Sequence, residues 1–168
     1  MKKTLLIALC SLAVIFTACK KPVDPTPEEP VDYAAQYVGD HLGQFTLTIT
    51  SMNNQPQTGM SFPIDSITMN IDKAETPNAI IATVTIENEP YQATGTVTET
   101  QILFDPIPLS LDRPEFALTG DIKLEGTKNE GKLNINGDFN GRGWAFIWNQ
   151  INEFDEVSGT ISGELEKL

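Results

Sequence analysis

The sequence predicts an all-β protein, an antiparallel up-and-down β-barrel of about eight to ten strands, with a β-sandwich as the alternative. Apolar and polar residues alternate with a period of two through most of the chain from Leu42 onward. Short clusters of Asn, Gly and charged residues separate the alternating runs. Glycines recur on the apolar side of the runs, which favours the sharp coiling of a closed barrel over a sandwich. No long helical pattern intervenes, and this excludes parallel βαβ units.

Each predicted strand has an apolar face and a polar face rich in threonine. In the first, Phe45, Leu47 and Ile49 alternate with threonines. Threonine on the polar side is typical of a solvated sheet surface. The later runs have their alternating apolar or glycine positions within 67–71, 82–86, 91–97, 116–124, 133–139 and 157–165.

Turn residues predict how these strands connect. We expect hairpin turns at Asn88-Glu89, at residues 128–131 and at Asn140-Gly141, since Asn-Gly is the strongest short hairpin signal. Segments 53–62 and 105–115 are rich in proline and polar residues and are predicted to be loops.

The segment 144–154 allows two interpretations. Alternation places Trp144, Phe146 and Trp148 on one strand face. The second interpretation is helical and places these apolar residues on one side: Trp144, Ile147, Trp148, Ile151 and Phe154. We predict a strand through Asn149 followed by a loop at 150–156, and the alternative is a short helix that plugs one barrel end.

The N-terminus resembles a bacterial lipoprotein signal peptide. Lys2 and Lys3 precede an apolar run from Leu5 to Phe16, and Thr17-Ala18-Cys19 follows. The resemblance implies cleavage before Cys19 and acyl chains such as palmitate on that cysteine. The alternative is an ordinary secretory signal with a chance cysteine.

The chain is predicted to comprise a signal peptide (1–18), a lipidated cysteine with a tether (19–36) and a barrel domain (37–168). The tether contains four prolines and several acids with almost no apolar residues, so it favours an extended spacer.

Charge and cysteine content exclude several classes of function. The formal net charge is −12, and loss of the signal peptide would make it −14 by removing two lysines. Such acidity argues against nucleic acid as a partner and against adsorption on anionic lipids. A lipid anchor would therefore hold the protein at the membrane. The two cysteines, Cys10 and Cys19, leave the barrel domain without a disulfide or a thiol nucleophile.

Tyr37-Val38-Gly39, followed by the strand Leu42-Gly43-Gln44-Phe45-Thr46-Leu47-Thr48-Ile49, comes after the lipidated cysteine and the proline-rich tether. This combination resembles the calycin-like lipoproteins of Gram-negative gut anaerobes. The resemblance implies a lipocalin- or avidin-shaped barrel attached to the outer membrane, on its periplasmic or its outer face. It implies no catalytic or ligand-binding residue.

The sequence offers few groups for catalysis or metal binding. His41 is the single histidine, and we expect it in a surface turn. Three carboxylates, Glu153, Asp155 and Glu156, with Asp138 nearby, would suit glycoside hydrolysis only at a fixed separation, and a solvated acidic loop is the favoured interpretation. The alternating Asn and Asp residues of 134–140 resemble a calcium loop only superficially, because no closing acid follows. We expect no cofactor and no metal.

The best candidate ligand-binding residues are the aromatic stripe Trp144, Phe146 and Trp148, with Arg142 on the same face. Buried, the stripe would fill the barrel, and this is the favoured interpretation. Exposed, it would offer flat apolar surfaces to a sugar or a hydrophobic ligand. The predicted apolar faces carry almost no polar residues, so the interior is either solid or suited to an apolar ligand.

We therefore expect a non-enzymatic cell-envelope lipoprotein. Its barrel would bind a small apolar molecule inside, or a glycan or envelope protein at its loops. The alternative is a structural or assembly subunit of the envelope with a filled barrel. Hydrolase activity through the acidic residues is the least favoured class.

Overall fold

The computed structural model describes residues 31–147 and 149–168. The predicted signal peptide, Cys19 and most of the tether lie outside the described residues, as does Trp148. Within them, no helix has the length and apolar character needed to cross a membrane. A short 3-10 helix (Ala34–Gln36) precedes nine strands: β1 Gly39–Met52, β2 Gln55–Lys73, β3 Ala79–Ile86, β4 Glu89–Val97, β5 Gln101–Phe104, β6 Ile107–Arg113, β7 Phe116–Asn129, β8 Lys132–Ile147 and β9 Gln150–Lys167.

The strands form one antiparallel sheet that closes into a ring. Their order is β5-β4-β3-β2-β1-β9-β8-β7-β6, and β5 also pairs with β7. β5 and β6 lie end to end along β7, where Leu103 faces Glu125 and Ile107 faces Ile122. The predicted all-β, up-and-down, barrel-like architecture is confirmed.

The alternating apolar residues fill the inside of the ring. Phe45, Leu47 and Ile49 are buried, as the alternation predicted, and side chains from all nine strands join them in one continuous core. Aromatic residues lie at both of its ends. At one end, called the tether end, Tyr37 is buried directly after the 3-10 helix; at the other, the far end, the rings of Phe62 and Phe116 lie 4.4 Å apart.

Glycines allow neighbouring strands to approach closely. A Cβ on Gly120 would lie 2.3 Å from the Asn140 carbonyl oxygen, and one on Gly137 would lie 2.2 Å from the Lys123 carbonyl oxygen. Real Cβ atoms do not approach backbone atoms this closely. The glycines of the alternating runs therefore permit the tight coiling of the sheet, as expected from their positions.

The predicted turn at Asn140-Gly141 is wrong. Both residues lie inside β8, where Asn140 faces Asp121 and Gly141 faces Gly120. Glycine is needed there for the close approach of two strands rather than for a turn. The turn predicted at 128–131 is confirmed, with positive φ at Glu130-Gly131, and the turn predicted at Asn88-Glu89 lies one residue earlier, at Glu87-Asn88. Asn53-Asn54 forms a further turn of this kind.

Three predicted loops are mostly strands. The segment 53–62 enters β2 at Gln55, 105–115 contains β6, and 150–156 begins β9. Among the prolines that suggested loops, Pro56 and Pro108 are the second residues of β2 and β6, where a missing N–H is tolerated, and Pro106 and Pro114 lie just outside β6. Residues 150–156 form neither the predicted loop nor the alternative helix, because they pair with the end of β8.

Candidate functional site

The aromatic stripe lies on the outside of the sheet. Ala145 is buried, so its neighbours Trp144 and Phe146 point outward; Trp144 is half-buried and Phe146 is 52% exposed. The favoured interpretation of the stripe as barrel core is therefore wrong for these two residues. Trp148 lies outside the described residues.

Crowding inside the far end explains this orientation. A Cβ on Gly143 would lie 2.0 Å from the Ala117 carbonyl oxygen, so the inward position next to Trp144 admits only glycine. Phe154, opposite Gly143 on β9, packs against the core instead. At the far end, the inward residues of β8 are therefore small, namely Gly143 and Ala145, and the large rings occupy the outward positions.

Cross-strand partners extend the apolar surface. Phe146 faces Ile151, which is 66% exposed, and Trp144 faces Glu153 on one side and Ala117 on the other. Among the described residues, Phe146 and Ile151 are the one pair of exposed large apolar side chains that are register partners. We call Trp144, Phe146 and Ile151 the aromatic patch.

An open groove of about 380 Å³ adjoins the aromatic patch. It contains positively and negatively charged side chains beside the indole of Trp144. We call it the patch groove; the residues that line it are Ala117, Thr119, Arg142, Gly143, Trp144, Glu153, Phe154 and Asp155.

A β-bulge fixes the polar edge of this groove. Between the pairs Gly141–Val157 and Gly143–Phe154, β9 has one more residue than β8, so Asp155 and Glu156 both oppose Arg142. Asn53 in the β1–β2 turn holds the bulge, because its Oδ1 accepts hydrogen bonds from the backbone N–H groups of Asp155 (3.0 Å) and Glu156 (3.1 Å).

The guanidinium of Arg142 is available to a ligand. Among the described residues it makes no ion pair within 4.0 Å and no hydrogen bond, although two acidic residues oppose it. By contrast, the carboxylate of Glu156 accepts a 2.7 Å hydrogen bond from Asn54 Nδ2. The charged groups of the groove are thus one donor, Arg142, and two acceptors, Glu153 and Asp155.

The prediction that His41 lies in a surface turn is wrong. β1 begins at Gly39, two residues earlier, and places His41 inside the ring with only 6% of its surface exposed. Its Nε2 lies 3.0 Å from the Tyr37 carbonyl oxygen, so Nε2 carries the proton and donates it. Nδ1 is buried without a partner.

The acidic residues considered for hydrolysis do not all meet. Asp138 precedes Trp144 by six positions on β8, so it lies about 20 Å along the strand from Glu153, the partner of Trp144. That exceeds the separation of about 5–9.5 Å that glycoside hydrolysis requires. Within the part of the chain that the structure describes, no cluster of three or more His, Cys, Asp or Glu residues could hold a metal ion.

Sequence reasoning missed the contribution of β9 to the site. Ile151, Glu153 and Asp155 point outward, but the segment was predicted to be a loop. The apolar residues Ile151 and Phe154 lie on opposite faces, so no period-two pattern marks this strand in the sequence.

The sequence matches no protein-family model and no curated protein.

Proposed function

We propose that this protein is a non-enzymatic lipoprotein of the cell envelope, anchored to the outer membrane through Cys19, that binds a glycan at the aromatic patch. The observation that carries the proposal is the outward position of two aromatic side chains, half-buried Trp144 and exposed Phe146, beside an unpaired Arg142.

The chemistry of the patch suits a sugar. Aromatic rings offer a flat apolar surface to the apolar face of a sugar ring, and a few convergent polar groups fix its orientation. The carboxylates of Glu153 and Asp155 accept hydrogen bonds from hydroxyl groups, and the guanidinium of Arg142 donates them.

The position of the patch also supports this proposal. Val31, where the described chain begins, lies at the tether end, whereas the patch lies near the turn between β8 and β9 at the far end. A tether that joins the domain at Val31 would meet it at the end opposite the patch.

The filled interior favours the outer surface as the binding site over a small apolar ligand inside the ring. Buried side chains from every strand pack in one core, and both ends are covered by aromatic residues. The same observation favours a second candidate function, a structural or assembly subunit of the envelope that binds no small ligand.

A glycan array probed with the purified protein tests the proposal. We expect binding to at least one glycan. Trp144→Ala or Phe146→Ala should weaken it about tenfold or more, or by about 1.4 kcal/mol, because each removes a flat apolar surface from the patch. Ile81→Ala is the matched control, because Ile81 is also exposed (45%) but lies on β3.

Thermal unfolding of each variant separates loss of binding from loss of folding. Glycan binding that is equal in the wild type and both aromatic variants would place the site elsewhere. Absence of binding to any glycan would favour the structural subunit.

A further inference from the structure

A second open groove lies on the outer face of the same strands, nearer the tether end. Its volume is about 530 Å³. We call it the polar groove; the exposed side chains that line it are Leu103, Lys123, Glu125, Asn136, Asp138, Thr160 and Ser162.

The two grooves lie along one line. Both are lined by β7, β8 and β9, and β5 adds Leu103 to the polar groove. Asp138 and Trp144 point to the same side of β8 because they are an even number of residues apart. About 20 Å separates these two residues along the strand. Between the grooves, β8 and β9 contribute Asn140 and Ser158, whose side chains hydrogen bond at 3.1 Å.

The polar groups of the second groove are unpaired. Lys123 and Asp138 are register partners, yet they form no ion pair within 4.0 Å. Elsewhere on the same face Lys132 does pair, with Glu164 at 2.5 Å and Glu166 at 2.9 Å. The side chains of Asn136, Thr160 and Ser162 also make no hydrogen bond to any other described residue.

The two grooves share one composition. Each combines a single cation, Arg142 or Lys123, with two acids and a large apolar side chain, half-buried Trp144 in the patch groove and exposed Leu103 in the polar groove. A hydroxyl group both donates and accepts hydrogen bonds, so it can bind to the cation and to the carboxylates of each groove. The net charge of −12 opposes a polyanionic ligand.

We propose that the glycan is an uncharged polysaccharide whose backbone lies along the outer face of β7–β9 and occupies both grooves. This inference rests on the proposed function. A ligand that reaches from Trp144 to Asp138 spans several sugar rings, so its affinity increases with chain length until both grooves are filled.

Affinity electrophoresis against dextran, laminarin, galactomannan and xyloglucan identifies a retained polymer, and titration calorimetry with its oligosaccharides measures the length dependence. The double variant Asp138→Ala/Thr160→Ala removes polar groups of the second groove, and Ser162→Arg blocks it. We expect each to weaken binding of the polymer about tenfold and to leave binding of a disaccharide unchanged. Gln92→Ala, on β4, is the exposed control.

The outcomes separate the two proposals. If Trp144→Ala weakens polymer binding but neither groove variant does, the extended ligand is wrong and the patch remains the site. If the protein prefers alginate or heparin over the uncharged polymers, the inferred ligand class is wrong. If it retains no polysaccharide and no glycan on the array, both the proposed function and this inference are wrong.

Discussion

At the scale of single residues, Tyr91 closes a gap in the sheet. β4 pairs with β5 through Gly95–Val97, but its first half diverges from β6. Tyr91 packs against the core, and its hydroxyl donates to the Ser110 carbonyl oxygen at 3.1 Å and lies 3.4 Å from the Ser110 N–H, which donates to it. One side chain thus replaces backbone pairing where the strands separate.

We expect Tyr91→Phe to lower the free energy of unfolding by about 1 kcal/mol, because it removes two hydrogen bonds and leaves two backbone groups of Ser110 to water. Urea unfolding followed by fluorescence measures this change. Tyr33→Phe is the control, since Tyr33 also packs against the core but its hydroxyl bonds to no other described residue. Equal effects of the two substitutions would show that the Tyr91 hydroxyl does not stabilise the gap.

At the scale of elements, the segment 31–37 caps the tether end, although the sequence assigned most of it to the tether. Asp32 forms an ion pair with Lys73, and its Oδ1 accepts hydrogen bonds from the backbone N–H groups of Ala34 (3.0 Å) and Asn78 (3.2 Å). Gln36 Nε2 donates to the carbonyl oxygens of residues 98 and 99. The cap therefore joins the loops that follow β2 and β4.

The cap predicts a pH dependence of stability. The hydrogen bond from Lys73 first, and then those from Ala34 and Asn78, hold the pKa of Asp32 below its usual value. The stability that Asp32 provides is therefore present above its unfolded-state pKa of about 3.9 and is lost as the pH falls through the lower folded-state pKa. We expect Asp32→Asn to be less stable than the wild type at pH 7, and expect this difference to vanish at acidic pH.

Urea midpoints of both proteins at pH 7 and at about pH 2.5 measure that difference. Comparing the two proteins at each pH cancels the titration of the other carboxylates. A difference of equal size at both pH values would contradict the role assigned to the Asp32 carboxylate.

Element by element, the alternating runs were predictable and the connections were less so. The faces of β1, β3, β7 and most of β8 follow from period-two alternation, which reflects local geometry. The far-end half of β2 was missed because its proline and polar residues favoured a loop, and the start of β9 was missed because its apolar residues, Ile151 and Phe154, do not alternate. These segments are strands because the preceding strands, β1 and β8, supply their hydrogen-bond partners. Pairing with another strand is a property of the tertiary structure and cannot be read from the segment's own residues.

At the scale of the whole molecule, the closed sheet has two different ends. The tether end holds Val31 and the cap, and the far end carries the aromatic patch and the β1–β2 and β8–β9 turns. An anchor on Cys19 would connect to the domain at the tether end.

This arrangement predicts that Cys19→Ala releases the protein from membranes into the soluble fraction, because the acyl chains would be the main attachment. Fractionation with immunoblotting detects the release, and mass spectrometry detects the lost acyl mass. Cys10→Ala is the matched control, since Cys10 lies in the predicted signal peptide and should leave fractionation unchanged. Release of both variants, or of neither, would contradict lipidation of Cys19.

The sequence by itself determined the fold class, the antiparallel strands and the apolar faces of most of them, because alternation along a strand records which side is buried. Only the tertiary structure decided that His41 is inside and that Trp144 and Phe146 are outside. The end of β8 has aromatic residues on one face and small apolar residues on the other. Because both faces are apolar, the sequence does not indicate which one points inward. That choice depended on the space left by β7 and β9, where Gly143 and Phe154 meet and no second large ring fits.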